Sequence, residues 1–153
     1  MNYVSRVLQP GETVIHQTRM HSIIFLSAAL WFAAAIILFI AALTQNGDVR
    51  IGGKALAVFC LIFAVASAIP ALIRRTTTEL AVTDRRVIYK SGVFARHTLE
   101  MNRSKVESVD VDQSVLGRIF GFGTIIVRGT GGSLEPIRMI SDPLTFRSHI
   151  TAG

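Results

Sequence analysis

The sequence predicts an α+β membrane protein, in which a two-helix transmembrane hairpin is followed by a small antiparallel β domain with a C-terminal helix. Two long stretches without Asp, Glu, Lys or Arg, residues 22–47 and 55–73, lie side by side near the start of the chain. The second stretch ends at Arg74 and Arg75. Beyond them, apolar and polar residues alternate as they do in strands that bury one face.

Each apolar stretch is long enough to cross a bilayer, because a spanning helix needs about 20 apolar residues. The predicted spans are residues 22–43 and 55–73, joined by a Gly- and Asn-rich turn at residues 44–54. A chain of 153 residues could hardly wrap two helices that are apolar on every side in a soluble core. A signal peptide also fits poorly, since a largely polar segment precedes the first stretch and a second span follows it.

The cations near the spans predict the orientation of the hairpin, because cationic flanks tend to stay in the cytoplasm. The connecting turn has only Arg50 and Lys54, partly offset by Asp48. The outer flanks carry Arg6, Arg19, Arg74 and Arg75, with further cations after residue 84. Both termini are therefore expected in the cytoplasm.

The net charge of +6 would suggest a nucleic-acid partner if the chain were soluble. Residues 1–75 hold +4 of this charge and residues 76–153 hold +2, so the excess lies near the membrane. Attraction to the anionic leaflet accounts for such charge, and no nucleic-acid partner is expected. The single cysteine, Cys60, lies in the second span and excludes a disulfide framework.

Alternation and turn residues predict the strands and the final helix. The strands are residues 78–82, 86–90, 96–101, 106–112, 123–128 and 134–140. A bulge is expected near Glu107, and Pro136 places the last strand at a sheet edge or at a bulge. Asp142 is expected to cap a short helix that has Pro143 at its first position. About six or seven antiparallel strands and one helix indicate a strongly bent sheet that the helix closes.

Three segments resemble one known family. Residues 80–89 read Leu-Ala-Val-Thr-Asp-Arg-Arg-Val-Ile-Tyr and precede Ser91-Gly92, residues 113–124 read Gln-Ser-Val-Leu-Gly-Arg-Ile-Phe-Gly-Phe-Gly-Thr, and residues 8–12 read Leu-Gln-Pro-Gly-Glu. They are similar to the bacterial pleckstrin-homology-like (PH-like) membrane proteins of the YdbS type. The resemblance implies a PH-like β-barrel of two near-orthogonal sheets with a C-terminal helix, attached to two spans, in a multi-pass protein of the bacterial inner membrane. It carries over no catalytic residue and no cofactor.

The resemblance divides the chain into an N-terminal juxtamembrane segment (residues 1–21), the hairpin (residues 22–73) and a PH-like domain (residues 76–153). The C-terminal helix is shorter than the one that usually caps such a barrel. A weakly closed barrel or a contact supplied by a partner is therefore expected.

The turn at residues 83–86 has two interpretations. Asp84 can hold a type I turn by bonding the backbone two residues on, or the cations around the turn can form a surface against anionic lipid headgroups.

Residues 114–122 also have two interpretations. They plug the core, or they form an exposed apolar turn that enters the membrane interface or docks on a neighbouring subunit. The candidate lipid or partner surface is Arg74, Arg75, Arg85, Arg86, Lys90, Arg118, Ile119 and Phe120.

No residue pattern points to catalysis. The glycine-rich segments at residues 121–123 and 129–132 lack the lysine and helix of a phosphate loop, and the four histidines have no metal-ligand spacing. The sequence thus predicts a non-catalytic interaction or scaffold module that binds a membrane-protein partner or itself. The alternative is a module that binds anionic lipid and serves envelope homeostasis or stress resistance.

Overall fold

The computed structural model describes residues 3–92, 97–130, 132–133 and 136–152. They fall into two compact units, one formed by Met1–His21 with Arg74–Gly153 and the other by Ser22–Ile73. The helices are α1 (Tyr3–Val7), α2 (Leu26–Leu43), α3 (Gly47–Thr77), α4 (Val115–Phe120) and α5 (Pro143–Thr151). The strands are β1 (Val14–Thr18), β2 (Glu79–Thr83), β3 (Arg86–Ser91), β4 (His97–Asn102), β5 (Val106–Asp112), β6 (Phe122–Gly129), β7 (Gly132–Ser133) and β8 (Ile137–Ser141).

The first unit contains two antiparallel four-stranded sheets. One has the order β1-β2-β3-β4, and in the other β5 pairs with one edge of β6 while β7 and β8 pair with the opposite edge. Within the described ranges, the two sheets do not form a closed barrel, which corrects the barrel implied by the resemblance. The described residues form no ladder between β4 and β5, because the short 3-10 turn Arg103–Lys105 bends the chain out of the first sheet before the second begins.

Backbone hydrogen bonds connect the two sheets at the corner opposite the Arg103–Lys105 turn. Met20 forms an isolated bridge with Ile140, and the N–H of His21 donates to the carbonyl of Met139 at 2.6 Å. The N–H of Ser141 donates to the carbonyl of Arg19 at 3.1 Å. The segment that follows β1 therefore joins the first sheet to β8 of the second.

Strand β1 and helix α1 have no counterpart in the sequence prediction, which kept residues 1–21 apart from the domain. In the structure β1 pairs with β2, with Thr18 opposite Leu80, and the hairpin is the connection between these two neighbouring strands. Helix α1 covers the outer face of the same sheet, where Val4 packs with Ala81 and Ile88. The N-terminal segment is thus an integral part of the β unit.

The inner faces of both sheets share one core. Leu80, Val82 and Val87 from the first sheet pack with Val109, Ile125, Val127, Ile137 and Ile140 from the second. Helix α5 adds Phe146 and Ile150 to this core, as its sequence predicts, but Leu144, which is predicted to make an apolar contact as well, is 58% exposed. Since both sheets and α5 bury residues in one cluster, the domain needs all three for its hydrophobic stabilisation.

The predicted bulge in β5 and the predicted start and cap of α5 can be compared with the structure. The register of β5 shifts between Val106 and Ser108, which confirms the bulge expected near Glu107. Pro143 occupies the start of α5, but Asp142 forms no side-chain cap. Its backbone is left-handed at φ 48°, and its N–H donates to the carbonyl of Gly121 at 2.9 Å. This backbone position does not aim the carboxylate at the helix amides, so the capping prediction is wrong.

The second unit is the helical hairpin, in which α2 and α3 bury only small side chains. These are Ala28, Ala35 and Ala42 on α2, and Ala57, Cys60, Ala64 and Ala71 on α3. The alanines recur mostly at seven-residue intervals, the spacing that keeps one seam of a helix pair in contact. Large apolar side chains such as Ile37 and Ile62 are exposed. Small residues inside and large apolar residues outside are typical of helices packed in lipid.

The turn between the helices is shorter than predicted, because α3 begins at Gly47 rather than at residue 55. Asp48 lies in the first turn of the helix, where a carboxylate interacts favourably with the helix dipole. Gly53 faces α2 closely, since a Cβ atom at this position would lie 2.8 Å from Cβ of Ala42. Gly53 therefore serves the close packing of the two helices.

We expect Ala64→Leu to separate the two helices, whereas Val65→Leu leaves them packed. Ala64 is buried in the seam and Val65 is exposed beside it, and added volume in a packed interface costs about 1–3 kcal/mol. The emission of Trp31, the single tryptophan, reports the change in detergent micelles because its ring lies 5.3 Å from that of Phe63. Equal spectra for the two variants would contradict the alanine seam.

Candidate functional site

The turn between β2 and β3 is held by a hydroxyl group. The Oγ1 of Thr83 accepts hydrogen bonds from the N–H groups of Arg85 at 3.2 Å and Arg86 at 2.9 Å. The carboxylate of Asp84 instead accepts from the N–H of Thr13 at 2.9 Å. The prediction that Asp84 holds the turn is therefore wrong, because this carboxylate bonds the segment before β1.

Arg86 lies at the centre of a buried polar cluster. Its Nε and Nη2 donate to the two carboxylate oxygens of Glu12 at 2.9 and 2.8 Å, and its Nη1 donates to Glu100 at 2.6 Å. Nη2 also donates to the carbonyl of Val7 at 2.8 Å. The Arg86 side chain is 11% exposed and that of Glu12 is fully buried. Two carboxylates thus compensate a cation that the sequence nominated as a surface residue.

Glu12 has further partners that fix it in place. Its Oε2 accepts from the N–H of Gln9 at 2.8 Å, and Oε1 lies 2.7 Å from the hydroxyl of Thr83, which is itself buried. Burial alone would raise the pKa of the Glu12 carboxyl, but the hydrogen bonds from Arg86, Gln9 and Thr83 outweigh burial and lower the pKa to about 2. Hydrogen bonding to Glu12 raises the pKa of Arg86 in turn.

This lowered pKa of Glu12 makes the stability of the domain depend on pH. The unfolded carboxyl titrates near 4.5 and the folded one near 2, so the contribution is complete above pH 4.5 and is lost as the pH falls toward 2. The difference corresponds to about 3 kcal/mol. We expect the urea midpoint of the full chain in detergent, followed by β-sheet circular dichroism, to fall between about pH 7 and about pH 3. Glu12→Gln should remove most of this fall, and an equal fall in that variant would contradict the assignment to Glu12.

The other nominated cations lie at opposite ends of the β2–β3 pair, with Arg85 at the turn and Lys90 opposite Glu79 at the other end. Lys90 is half-buried, with its Nζ 5.2 Å from the centroid of the Tyr3 ring. Arg85 is exposed at the turn beside Asp84. Arg74 and Arg75 lie in the last turn of α3, where they are exposed. The structure therefore does not gather these residues and Arg86 into one cationic surface.

The remaining nominated residues form an exposed apolar turn. Helix α4 is capped by Ser114, whose Oγ accepts from the N–H of Gly117 at 3.1 Å, and it ends at Gly121 in a left-handed conformation. Gly117 faces the β6 backbone, since a Cβ there would lie 2.6 Å from the carbonyl oxygen of Phe122. The large residues consequently point outward. Val115, Leu116, Ile119 and Phe120 are 55–74% exposed, and Arg118 is exposed beside them.

These exposures decide between the two interpretations of residues 114–122. The core-plugging interpretation is wrong for the large side chains of α4, because the glycine, and not an apolar residue, contacts the domain. Glu12 is the important residue that sequence reasoning missed. It belongs to the Leu-Gln-Pro-Gly-Glu segment that carried the resemblance, yet no local pattern pairs it with an arginine 74 residues later.

Two antiparallel sheets sharing a core with a C-terminal helix define a small PH-like domain, here carrying a helical hairpin in a loop between strands. Among the described residues no group of three or more His, Cys, Asp or Glu is arranged to hold a metal ion. The family model for the bacterial PH domain matches residues 22–152, and the chain belongs to this family. The match confirms the resemblance and does not separate the YdbS type within it. No curated protein and no solved structure matches the chain.

Family membership bears on function at a coarse level. PH-like domains of this family are generally non-catalytic, which agrees with the prediction of a binding module. The matched range begins at residue 22, so α1, β1 and Glu12 lie outside it.

Proposed function

We propose that the chain is a membrane-anchored, non-catalytic interaction module of the bacterial inner membrane. Its PH-like domain lies on the cytoplasmic side and binds a membrane-protein partner or a second copy of the chain. Two helices are long and apolar enough to cross a membrane by length and composition. Their exposed surface of large apolar side chains supports insertion, because lipid removes that surface from water.

The connectivity supports a hairpin with both ends on the same side. The hairpin leaves the domain after β1 and returns to it at β2, and these strands are hydrogen-bonded neighbours. A segment whose two ends enter one folded unit crosses a bilayer an even number of times. The cations at the outer ends of the hairpin favour the cytoplasm for that unit.

The unpaired edge of β4 is the feature that best supports binding of a partner. In the described part of the chain β4 pairs with β3 alone, so its other edge presents free N–H and C=O groups. An extended segment of a partner can add to such an edge as a new strand. The edge of β5 suits strand addition less well, because the exposed carboxylates of Glu107 and Asp112 oppose it.

The positions of Arg86 and Arg103 make a specific binding site for an anionic headgroup the weaker function. The Arg86 guanidinium is saturated by Glu12 and Glu100, and Arg103 donates to the carbonyls of His149 at 2.6 Å and Ile150 at 3.0 Å at the end of α5. Headgroup recognition relies on cations directed at the ligand, and these two are directed into the fold.

Site-specific photocrosslinking of the full chain in bacterial membranes tests the proposal. A photoreactive amino acid replaces Thr98 on β4, and a matched control replaces Arg147, which is exposed on α5. We expect a discrete protein product from position 98 that is absent from position 147. Two differently tagged copies of the chain distinguish self-association from a separate partner.

Two results would overturn strand addition at β4. Equal products from both positions would show non-specific proximity. Lipid adducts without a protein product at position 98 would favour the module that binds anionic lipid.

A further inference from the structure

Helix α4 and the start of α5 hold the most exposed large apolar side chains among the described residues of the PH-like domain. The four on α4 and Leu144 are each at least 55% exposed, whereas Val14, Ile15 and Met139 are 39–42% exposed. Leu144 borders the same cleft as Arg118 and Gly121. These five side chains, Val115, Leu116, Ile119, Phe120 and Leu144, are called the α4 patch below.

The α4 patch lies at the end of the domain where the chain leaves for the first apolar helix. His21 is the last residue of the domain before that segment begins at Ser22. Its ring stacks on Phe122 with a centroid distance of 5.5 Å, and its N–H donates to Met139. Phe122 follows α4 after one residue, Gly121. The exit of the chain and the α4 patch therefore share one corner of the domain.

The composition of α4 suits the boundary between water and lipid. The helix carries four large apolar residues and one cation, Arg118, and no carboxylate. Arg19, two residues before the chain exit, is a further exposed cation. Interfacial segments combine apolar side chains that enter the acyl boundary with cations that contact anionic headgroups.

We propose that the α4 patch inserts into the interfacial layer of the same membrane that the hairpin spans, and so fixes the orientation of the PH-like domain against the bilayer. The proposal rests on the membrane anchoring in the proposed function. A second copy of the chain fits the patch less well, because a stable protein interface uses about 20 residues or more from each side. The patch has five, and it shares a corner of the domain with His21, after which the chain continues into the hairpin.

Fluorescence quenching in the reconstituted full chain tests the proposal. Cys60 is replaced by alanine, and an environment-sensitive fluorophore is attached at Leu116→Cys in vesicles that contain lipids with a quencher on the upper part of the acyl chain. The matched control is Ser108→Cys, exposed on β5 in the same domain, and Ile37→Cys reports insertion of α2. We expect quenching at position 116 to exceed that at position 108 by about threefold or more, as for side chains buried in the interface.

The three positions separate the failure of this inference from the failure of membrane anchoring. Quenching at position 37 with equal quenching at 116 and 108 would overturn insertion of the α4 patch and leave the anchor intact. Absence of quenching at position 37 would overturn the anchor itself. A fluorophore at 116 that is shielded from water but not quenched by lipid would show a protein surface on the patch and would also overturn the inference.

A pair of charge substitutions adds a second criterion. Ile119→Glu places a carboxylate on the patch, and Ser148→Glu places one at an exposed position of α5 that does not border the cleft beside the patch. We expect the first to abolish most of the quenching at position 116 and the second to leave most of it. Equal effects would mean that net charge, and not apolar insertion, holds this corner at the membrane.

Discussion

Arg86→Ala is expected to lower the free energy of unfolding of the PH-like domain by about 3–5 kcal/mol, since removing one partner of a buried ion pair leaves the other charge uncompensated. Here the charge left behind is the buried carboxylate of Glu12, with only the Thr83 hydroxyl and the Gln9 amide as remaining partners. Because small domains are stable by about 5–15 kcal/mol, this loss can remove most of the folded population. Hydrogen exchange of β2 and β3 amides under a urea series measures it in the full chain.

The matched control is Arg128→Ala. Arg128 donates to Asp110 at 2.9 Å, but both side chains are more than half exposed. An exposed pair of this kind contributes about 1 kcal/mol or less. If Arg86→Ala destabilised β2 and β3 no more than Arg128→Ala does, the Glu12–Arg86 pair would not stabilise the domain, and Arg86 would return to the candidate binding surface.

The sequence predicted most elements of the domain because they depend on local patterns. Alternation of apolar residues predicted the strands on either side of the Thr83 turn, and the almost wholly apolar composition of residues 22–43 predicted the first long helix. In most strands the observed ends differ from the predicted ends by one to three residues, because turn-forming residues at a strand end are compatible with either a strand or a turn. The four-residue turn at 83–86 was correctly placed although its hydrogen bonds were assigned to the wrong side chain.

What the sequence did not predict depends on contacts between distant segments. Strand β1 has only five residues, reads Val-Ile-His-Gln-Thr, and is separated from its partner β2 by the whole hairpin. Nothing in these five residues distinguishes a strand from an irregular polar segment that leads to the membrane. Likewise, Arg86 carries the same charge whether it faces lipid or Glu12, and only the packing of α1 and β1 on the sheet decides between them.

A fragment of residues 76–153 is expected not to fold, although the sequence alone suggested that it is the complete domain. Without residues 1–21 the first sheet loses β1, Arg86 loses Glu12, and the apolar surface of Ala81 and Ile88 loses Val4. The fragment thus exposes a new sheet edge and leaves a charge with one of its two carboxylates, both of which favour aggregation over folding. Circular dichroism and size-exclusion chromatography of the purified fragment measure the outcome.

The matched control is a linked chain that restores the missing residues. Residues 1–21 are joined to residues 78–153 by a flexible linker of about ten residues, which reaches roughly 17 Å on average and connects the neighbouring strands β1 and β2 in place of the hairpin. We expect this linked chain to be soluble and to unfold cooperatively, and Glu12→Gln within it to lower the unfolding midpoint. A folded, monomeric 76–153 fragment would contradict the role of the N-terminal segment. Failure of both the fragment and the linked chain would mean that the domain needs its anchor to fold, in which case the hairpin stabilises the PH-like domain as well as holding it at the membrane.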